Sequence, residues 1–212
     1  MNFSTLKNVN LIINKKVILD NISFAIPQNK TTIFLGKNGS GKTTILRTIN
    51  LLQKITAGQI VSINQKPIPM LFQKPILFDG NVFYNFSILK KIKNYEANLT
   101  WYDAFHLNQL HQQNIKNLSG GEKQKLFLSR VMSIDPEVII MDEPNQNLDI
   151  ESEKTLTQLI MEQKKQKKTI ILTLHDYNLA SKLADFIILL DKGKILYQGK
   201  KDLFFDKWHD RM

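Results

Sequence analysis

Cysteine is absent from the 212 residues, which excludes a disulfide scaffold, a cysteine nucleophile and any thiolate metal site. The absence suits a reducing compartment. Arginine is scarce: Arg47, Arg130 and Arg211 stand against 29 basic residues in all. The planar arginine fork is the usual reader of base edges, so sequence-specific DNA recognition is poorly supported. Long hydrophobic runs are missing too. Stretches such as 138–141 and 186–190 fall far short of the roughly 20 apolar residues that a bilayer span needs. The opening Met1-Asn2-Phe3-Ser4-Thr5 lacks a basic start followed by an apolar stretch, so no secretory signal is read there. The expectation is a cytoplasmic protein.

What is present reads as ordinary globular chain, with 42% apolar and 23% charged residues and no internal repeat. The length suits one domain spanning 1–212. A net charge of +10 points to an anionic partner: a nucleotide, a membrane surface or nucleic acid. The one dense basic run, 164–168, reads as a solvated helix end.

The first 35 residues carry short β-like runs at 9–13, 17–19 and 22–26, then a compact apolar strand at 31–35. That strand enters Gly36, Lys37, Asn38, Gly39, Ser40, Gly41, Lys42, Thr43 and Thr44, and a helix-like run follows. Strand, glycine loop and helix form the context of a phosphate-binding loop. Glycines let successive backbone N–H groups converge on phosphate oxygens, and the helix start adds its positive end. Lys42 supplies a point charge for the β- and γ-phosphates, and the Thr43 hydroxyl can ligate Mg²⁺.

Residues 80–117, rich in Asn, Gln and aromatics, read as a small helical insertion without a clear strand. A second apolar strand ends in Asp142 and Glu143, and a third, 169–174, ends at His175. A helix is expected from Glu151 to about Gln163, and a fourth strand, 186–190, turns at Gly193 into a hairpin. Strands alternating with helices imply a mostly parallel sheet covered on both faces, with ligands beyond the carboxyl ends of its strands. Lys42, Asp142, Glu143 and His175 all fall just past such ends. Asp142 suits a Mg²⁺ shell, and Glu143 a general base for attack on the γ-phosphate. His175 sits where a γ-phosphate contact is feasible, whereas His106, His111 and His209 read as structural. Ser119 can cap a helix whose first residues, Gly120 and Gly121, expose their amides ahead of Glu122, forming a second anion site.

Taken together, these motifs resemble the ATP-binding cassette ATPases, the nucleotide-binding subunits of ABC transporters, over nearly the whole chain. Gly36 to Thr43 resembles the Walker A loop, and Gln73 the Q-loop glutamine, a third ligand for the metal. Ser119, Gly120, Gly121 and Glu122 resemble the signature motif. The strand ending in Asp142 and Glu143 resembles Walker B, Asp149 the D-loop aspartate and His175 the switch histidine. The resemblance implies an α/β P-loop NTPase with a mostly parallel sheet flanked by helices. It also implies an N-terminal antiparallel β subdomain, a nucleotide-binding core over 1–73 and 134–212, and a helical signature subdomain over 74–133. It implies ATP and Mg²⁺ as cofactors, and Glu143, His175 and Gln73 as the catalytic set. Two cassettes would dimerise head to tail, each ATP lying between one chain's Walker A loop and the other's signature. Further partners implied are integral-membrane permease subunits and an extracytoplasmic substrate-binding protein, with no nucleic acid, at the cytoplasmic face of the plasma membrane.

Departures from the family pattern matter as well. Ile13 stands where an aromatic residue usually stacks on adenine, which implies weak base discrimination. The short stretches from Lys42 to Gln73 and from Gln73 to Ser119 imply a trimmed helical insertion, and the end after the final hairpin leaves no space for a C-terminal regulatory domain. The segment 72–78 is similar to Q-loop segments of oxyanion importers. Phe72, Phe78, Phe83, Tyr84 and Phe86 form a local aromatic concentration, read as core or as a groove for the permease's coupling helix.

Overall fold

The computed structural model describes residues 1–93 and 96–208; His209 and Arg211 lie outside them. In chain order the elements are β1 (Asn2–Ile13), β2 (Lys16–Pro27), β3 (Thr31–Leu35), α1 (Lys42–Ile49), β4 (Ala57–Ser62) and β5 (Met70–Leu71). Then follow α2 (Val82–Lys93), α3 (Thr100–Ala104), two 3₁₀ turns, α4 (Gly120–Met132), β6 (Val138–Asp142) and α5 (Ile150–Lys165). The chain continues through β7 (Thr169–Thr173), α6 (Tyr177–Leu183), β8 (Phe186–Asp191), β9 (Lys194–Lys200) and α7 (Lys201–Trp208).

Two sheets result. A three-stranded antiparallel sheet has the order β2-β1-β4, and a six-stranded sheet has the order β5-β6-β7-β3-β8-β9. The larger sheet is parallel except where β8 meets β9. Its central strands are apolar on both faces and alternate between two cores. Ile33, Leu35, Ile170 and Leu172 pack with the helical segment. Phe34, Ile140, Ile171 and Ile188 pack with α1 and the antiparallel sheet. Each such side chain contributes roughly 1.5–3 kcal/mol on burial, so strand order is over-determined at the centre. From 82 to 132 the described residues hold helices and no strand, as their composition suggested.

The structure revises the sequence expectations in places. The three short β-like runs at the start are two long strands. Asn8 and Asn21 take left-handed backbone angles next to register shifts, so they bulge the ladder without ending it. Asn14 and Lys15, both at positive φ, form the two-residue turn that joins the strands. β4, the two-residue β5, α6 and α7 were not legible from periodicity. The basic run is not simply solvated. The Lys168 ammonium is buried in an ion pair with Asp135, and Lys164 reaches Asp185 at 3.3 Å and the Leu183 carbonyl. These two lysines fasten the end of α5 to the elements on either side of it.

The β8–β9 turn sets the position of the phosphate loop. Gly193 N–H donates to the Ser40 carbonyl at 2.9 Å, and the Gly193 carbonyl accepts from Asp20 N–H at 3.0 Å. Gly193 has φ +78, and a Cβ there would stand 2.4 Å from the Ile18 carbonyl oxygen. Both backbone strain and collision oppose any side chain. Gly193→Ala is expected to cost about 1–3 kcal/mol, measured by thermal unfolding, and to weaken nucleotide binding because Ser40 loses its support. Unchanged melting and binding would contradict this role for the turn.

Candidate functional site

β3 emerges from the middle of the larger sheet, so the loop that follows it lies beside the ends of β6 and β7. Gly36 has φ +146, and a Cβ on it would come within 2.3 Å of the Leu190 carbonyl oxygen. Only glycine lets the loop leave the sheet there. Ser40 N–H closes a turn on the Lys37 carbonyl at 3.1 Å, and Gly41, at φ +108, precedes the first turn of α1. Asn38, Gly39, Gly41, Lys42, Thr43 and Thr44 line a polar cavity of about 450 Å³, together with Gln73 and Glu143.

The cavity's charged floor is tightly coupled. Lys42 is 5% exposed, and its ammonium donates to the carbonyls of Gly36 at 2.7 Å and Lys37 at 3.3 Å. It lies 3.9 Å from Glu143 Oε1. Burial lowers the Lys42 pKa, and the nearby charges of Glu143 and Asp142 oppose that shift. Glu143 is itself buried, with φ +50. Its Oε1 lies 2.5 Å from His175 Nε2, and its Oε2 accepts from Gln73 Nε2 at 3.0 Å. His175 Nε2 is also 3.5 Å from the Lys42 ammonium. The sequence-expected residues Lys42, Gln73, Glu143 and His175 therefore meet around one carboxylate. Asp142 is 1% exposed; its Oδ1 accepts from Thr173 Oγ1 at 2.6 Å, while its Oδ2 is buried without a partner.

A second group of expected residues assembles elsewhere. Ser119 caps α4 with a reciprocal pair of bonds. Glu122 N–H donates to Ser119 Oγ at 3.2 Å, and Ser119 N–H donates to Glu122 Oε2 at 2.7 Å. Neither bond uses the amides of Gly120 and Gly121. Gly121 lies against the backbone of Asn147, where a Cβ would approach that carbonyl oxygen to 2.8 Å. Asp149 caps α5 by accepting from Ser152 N–H at 2.7 Å. Hydrogen bonds from Ser152, then Lys125 at 3.5 Å, hold the Asp149 pKa down to about 2. Ser119, Gly120, Gly121, Glu122 and Asp149 do not line the cavity above the phosphate loop.

Two expectations shift in the structure. Ile13 is at the hairpin tip, opposite Lys16 and exposed, away from the cavity wall. Lys16 and Ile18 stand on that wall instead, because the strand after the turn is the one that folds over the loop. The aromatic concentration divides. Phe86 is core, Phe83 stacks on His111 with ring centroids 4.1 Å apart, and Phe72 and Phe78 line a separate apolar groove. Residues that sequence reasoning missed include Lys16, Ile18, Thr173 and Gln124. Gln124 Nε2 donates to the Pro144 carbonyl at 3.1 Å and ties α4 to the loop after β6. Only strand register and packing bring these four forward.

Known proteins resemble this chain in sequence and in fold. A family model described as ABC transporter matches residues 19–146. An iron(III)-ion import ATP-binding protein of Pectobacterium atrosepticum is 32% identical over 215 residues, covering 93% of this chain and 61% of that protein. A phosphate import ATP-binding protein of Vibrio parahaemolyticus is 28% identical over 231 residues, covering 95% of this chain and 84% of that protein. A solved ATP-binding cassette, a dimer in a post-hydrolysis state bound to ADP and Pi, superposes with a TM-score of 0.83 at 24% identity, covering 93% of this chain and 98% of that one. The chain spans about three fifths of the length of the iron-import relative.

The wall residues give a direct test of base recognition. Lys16 and Ile18 offer no π-face, and no aromatic side chain lines the cavity among the described residues. ATP and GTP are expected to bind with affinities within a few-fold of each other. Ile18→Tyr is expected to tighten binding by roughly 1 kcal/mol through base stacking, read by equilibrium titration. A strong wild-type preference for ATP would sink this account.

Proposed function

The chain belongs to the ABC transporter family, and on that basis we propose that it is the ATP-binding and ATP-hydrolysing subunit of an importer, acting on a separate membrane permease. One observation carries the reading. A buried lysine, a glutamine, a histidine and a glutamate converge at the carboxyl ends of parallel strands beside a glycine-lined cavity of about 450 Å³. In this reading the phosphate oxygens of ATP take over the Lys42 ammonium from the carbonyls of Gly36 and Lys37. Backbone amides from Asn38 to Thr44 share the remaining negative charge. Glu143 accepts a proton from water as the water oxygen bonds to the γ-phosphorus. The bond to the bridging oxygen breaks, and ADP leaves with its electron pair. His175 and Gln73, which already hold both oxygens of that carboxylate, fix its direction.

The residues also fit Mg²⁺. Asp142 Oδ2 is buried and partnerless, and with the Thr43 hydroxyl and the Gln73 amide oxygen it offers a set of hard oxygen donors. The described residues hold no all-protein cluster of three or more acidic, His or Cys ligands, which suits a cation shared with phosphates. When bound, it neutralises charge on the β- and γ-phosphates.

The second half of the site comes from another copy. Ser119, Gly120, Gly121 and Glu122 stand away from the chain's own cavity with two amides unused in the cap, so a head-to-tail pair would complete both sites. The dimeric form of the solved cassette supports this arrangement. Asp149 of the D-loop, packed near α4 through Lys125, would link the two sites.

An apolar groove of about 340 Å³ is lined by Phe72, Ile76, Phe78, Leu89, Phe127 and Arg130, among others. It suits the cytoplasmic helix of a permease. No helix among the described residues is long and apolar enough to cross a membrane. As the partner of a permease, this subunit would sit peripherally at the cytoplasmic face of the plasma membrane. The names of the relatives support import, of iron(III) ions in one and phosphate in the other, and phosphate agrees with an oxyanion cargo. An extracytoplasmic binding protein would then deliver it. Residues 1–73 and 134–212 would form the nucleotide-binding core and 74–133 the helical signature subdomain.

Glu143→Gln is expected to bind ATP within about twofold of wild type and to lose at least about a hundredfold in turnover, as removal of a general base does. Light scattering is expected to show an ATP-dependent dimer. Retained turnover would remove Glu143 from this role. Lys42→Ala is expected to lose nucleotide affinity in the same titration. Tagged Glu143→Gln chain with ATP should capture a polytopic protein from detergent-solubilised native membranes, and adding Phe78→Ala should weaken that capture while sparing ATP binding. Capture of ribosomes or nucleic acid instead would overturn the transport reading.

A further inference from the structure

Thr173 is the last residue of β7 and stands in register with Asp142, the last residue of β6. Its side chain is fully buried. The hydroxyl accepts from Glu143 N–H at 2.9 Å and lies 2.6 Å from Asp142 Oδ1. The direction of both bonds is forced. A backbone amide only donates, so the hydroxyl lone pair faces Glu143 and its single proton goes to the Asp142 carboxylate. One oxygen atom thus ties the two acids of the site together from below.

Glu143 needs such a tie. Its backbone is left-handed at φ +50, a conformation that costs a non-glycine residue about 1–2 kcal/mol and persists only where surroundings enforce it. Thr173 holds its amide, while His175, two residues further on, holds its carboxylate at 2.5 Å. The end of β7 therefore grips Glu143 at both backbone and side chain. The strand is fixed in turn, since Leu174 N–H donates to the Phe34 carbonyl of β3 at 3.1 Å. On the other acid, occupying Oδ1 leaves Oδ2 as the free oxygen of Asp142.

We propose that Thr173 is a positioning residue for ATP hydrolysis: its hydroxyl sets the orientation of Asp142 and the backbone conformation of Glu143, and so where the Glu143 carboxylate stands. The proposal rests on the ATPase reading above and deepens it. Thr173 touches neither nucleotide nor water; it acts through the two acids. Misplacement of a catalytic group by about 1 Å costs up to roughly a hundredfold in rate, and ground-state binding through the phosphate loop is untouched.

The test compares Thr173→Val, which keeps the shape and removes the hydroxyl, with Thr173→Ser, which keeps the hydroxyl. Steady-state ATPase assays are expected to show kcat lowered about 10- to 100-fold in the valine variant with KM within about twofold, and recovery towards wild type in the serine variant. Amide hydrogen exchange on the nucleotide-free protein supplies a readout independent of turnover. Protection of the Glu143 N–H should fall in the valine variant and persist in the serine variant. A valine variant with wild-type kcat overturns the proposal, as does one whose KM rises in step with its loss of kcat. If the valine variant does not fold, the serine variant decides alone: wild-type kcat and protection support the bridge, and a slow, unprotected serine variant overturns it. Failure of the ATPase reading looks different, because there the wild-type chain itself turns over no ATP.

Discussion

The parallel register of β3, β6 and β7 is the constraint on which the rest depends. Hydrogen bonding pairs Thr32 with Ile171 and Ile140 with Ile171, so three strands end at nearly the same level. Beyond that level each strand delivers different chemistry: a glycine loop and Lys42, two acids, and a histidine. None of these groups is close to the others in sequence. A one-residue slip of any strand would turn its apolar residues to the opposite core and carry its terminal group out of the cluster. The two cores that fix the register therefore also fix the site.

Electrostatics at the site follow from the same geometry. The Lys42 ammonium is taken out of water, which is unfavourable unless anionic or carbonyl oxygen surrounds it. Gly36 and Lys37 carbonyls and the Glu143 carboxylate provide that surrounding. The groups that would meet phosphate are thus already positioned but occupied with one another, and phosphate binding would exchange one set of oxygens for another. The signature end of α4 shows the opposite state, with Ser119 and Glu122 satisfying each other and the amides of Gly120 and Gly121 left over.

Much of this was legible in the sequence, for identifiable reasons. Gly36 through Thr44, Asp142, Glu143 and His175 are short-range signals, each a residue type at the end of an apolar run. The helix cap at Ser119 is equally local, whereas the cap that Asp149 forms on α5 emerges only in the structure. What sequence did not give depends on distant partners. β5 is two residues long and exists only because β6 lies beside it. Asn8 and Asn21 look like strand breakers until β1 and β2 are paired and absorb them as bulges. Lys168 looks like one more solvated charge until Asp135, 33 positions away, is brought to it. Ile13 ends the first strand of the hairpin, whereas the wall of the cavity is set by Lys16 and Ile18 on the strand after the turn. Thr173 carries no signal at all without knowledge that it faces Asp142.

The central place of β3 also orders events in the life of the chain. Both of its hydrogen-bonded neighbours, β7 and β8, lie more than a hundred residues downstream, and Thr31 N–H waits for the Asp185 carboxylate. A ribosome releases residues from the N-terminus first, at about 5–20 per second. The strand that carries the phosphate loop therefore leaves the exit tunnel early and stays unpaired until most of the remaining chain has followed. Contacts of such long separation slow folding and leave an apolar strand exposed meanwhile. A loop shaped to hold phosphate would thus form only once β7 and β8 have been made, and chains ending before them would carry the loop sequence without its fold.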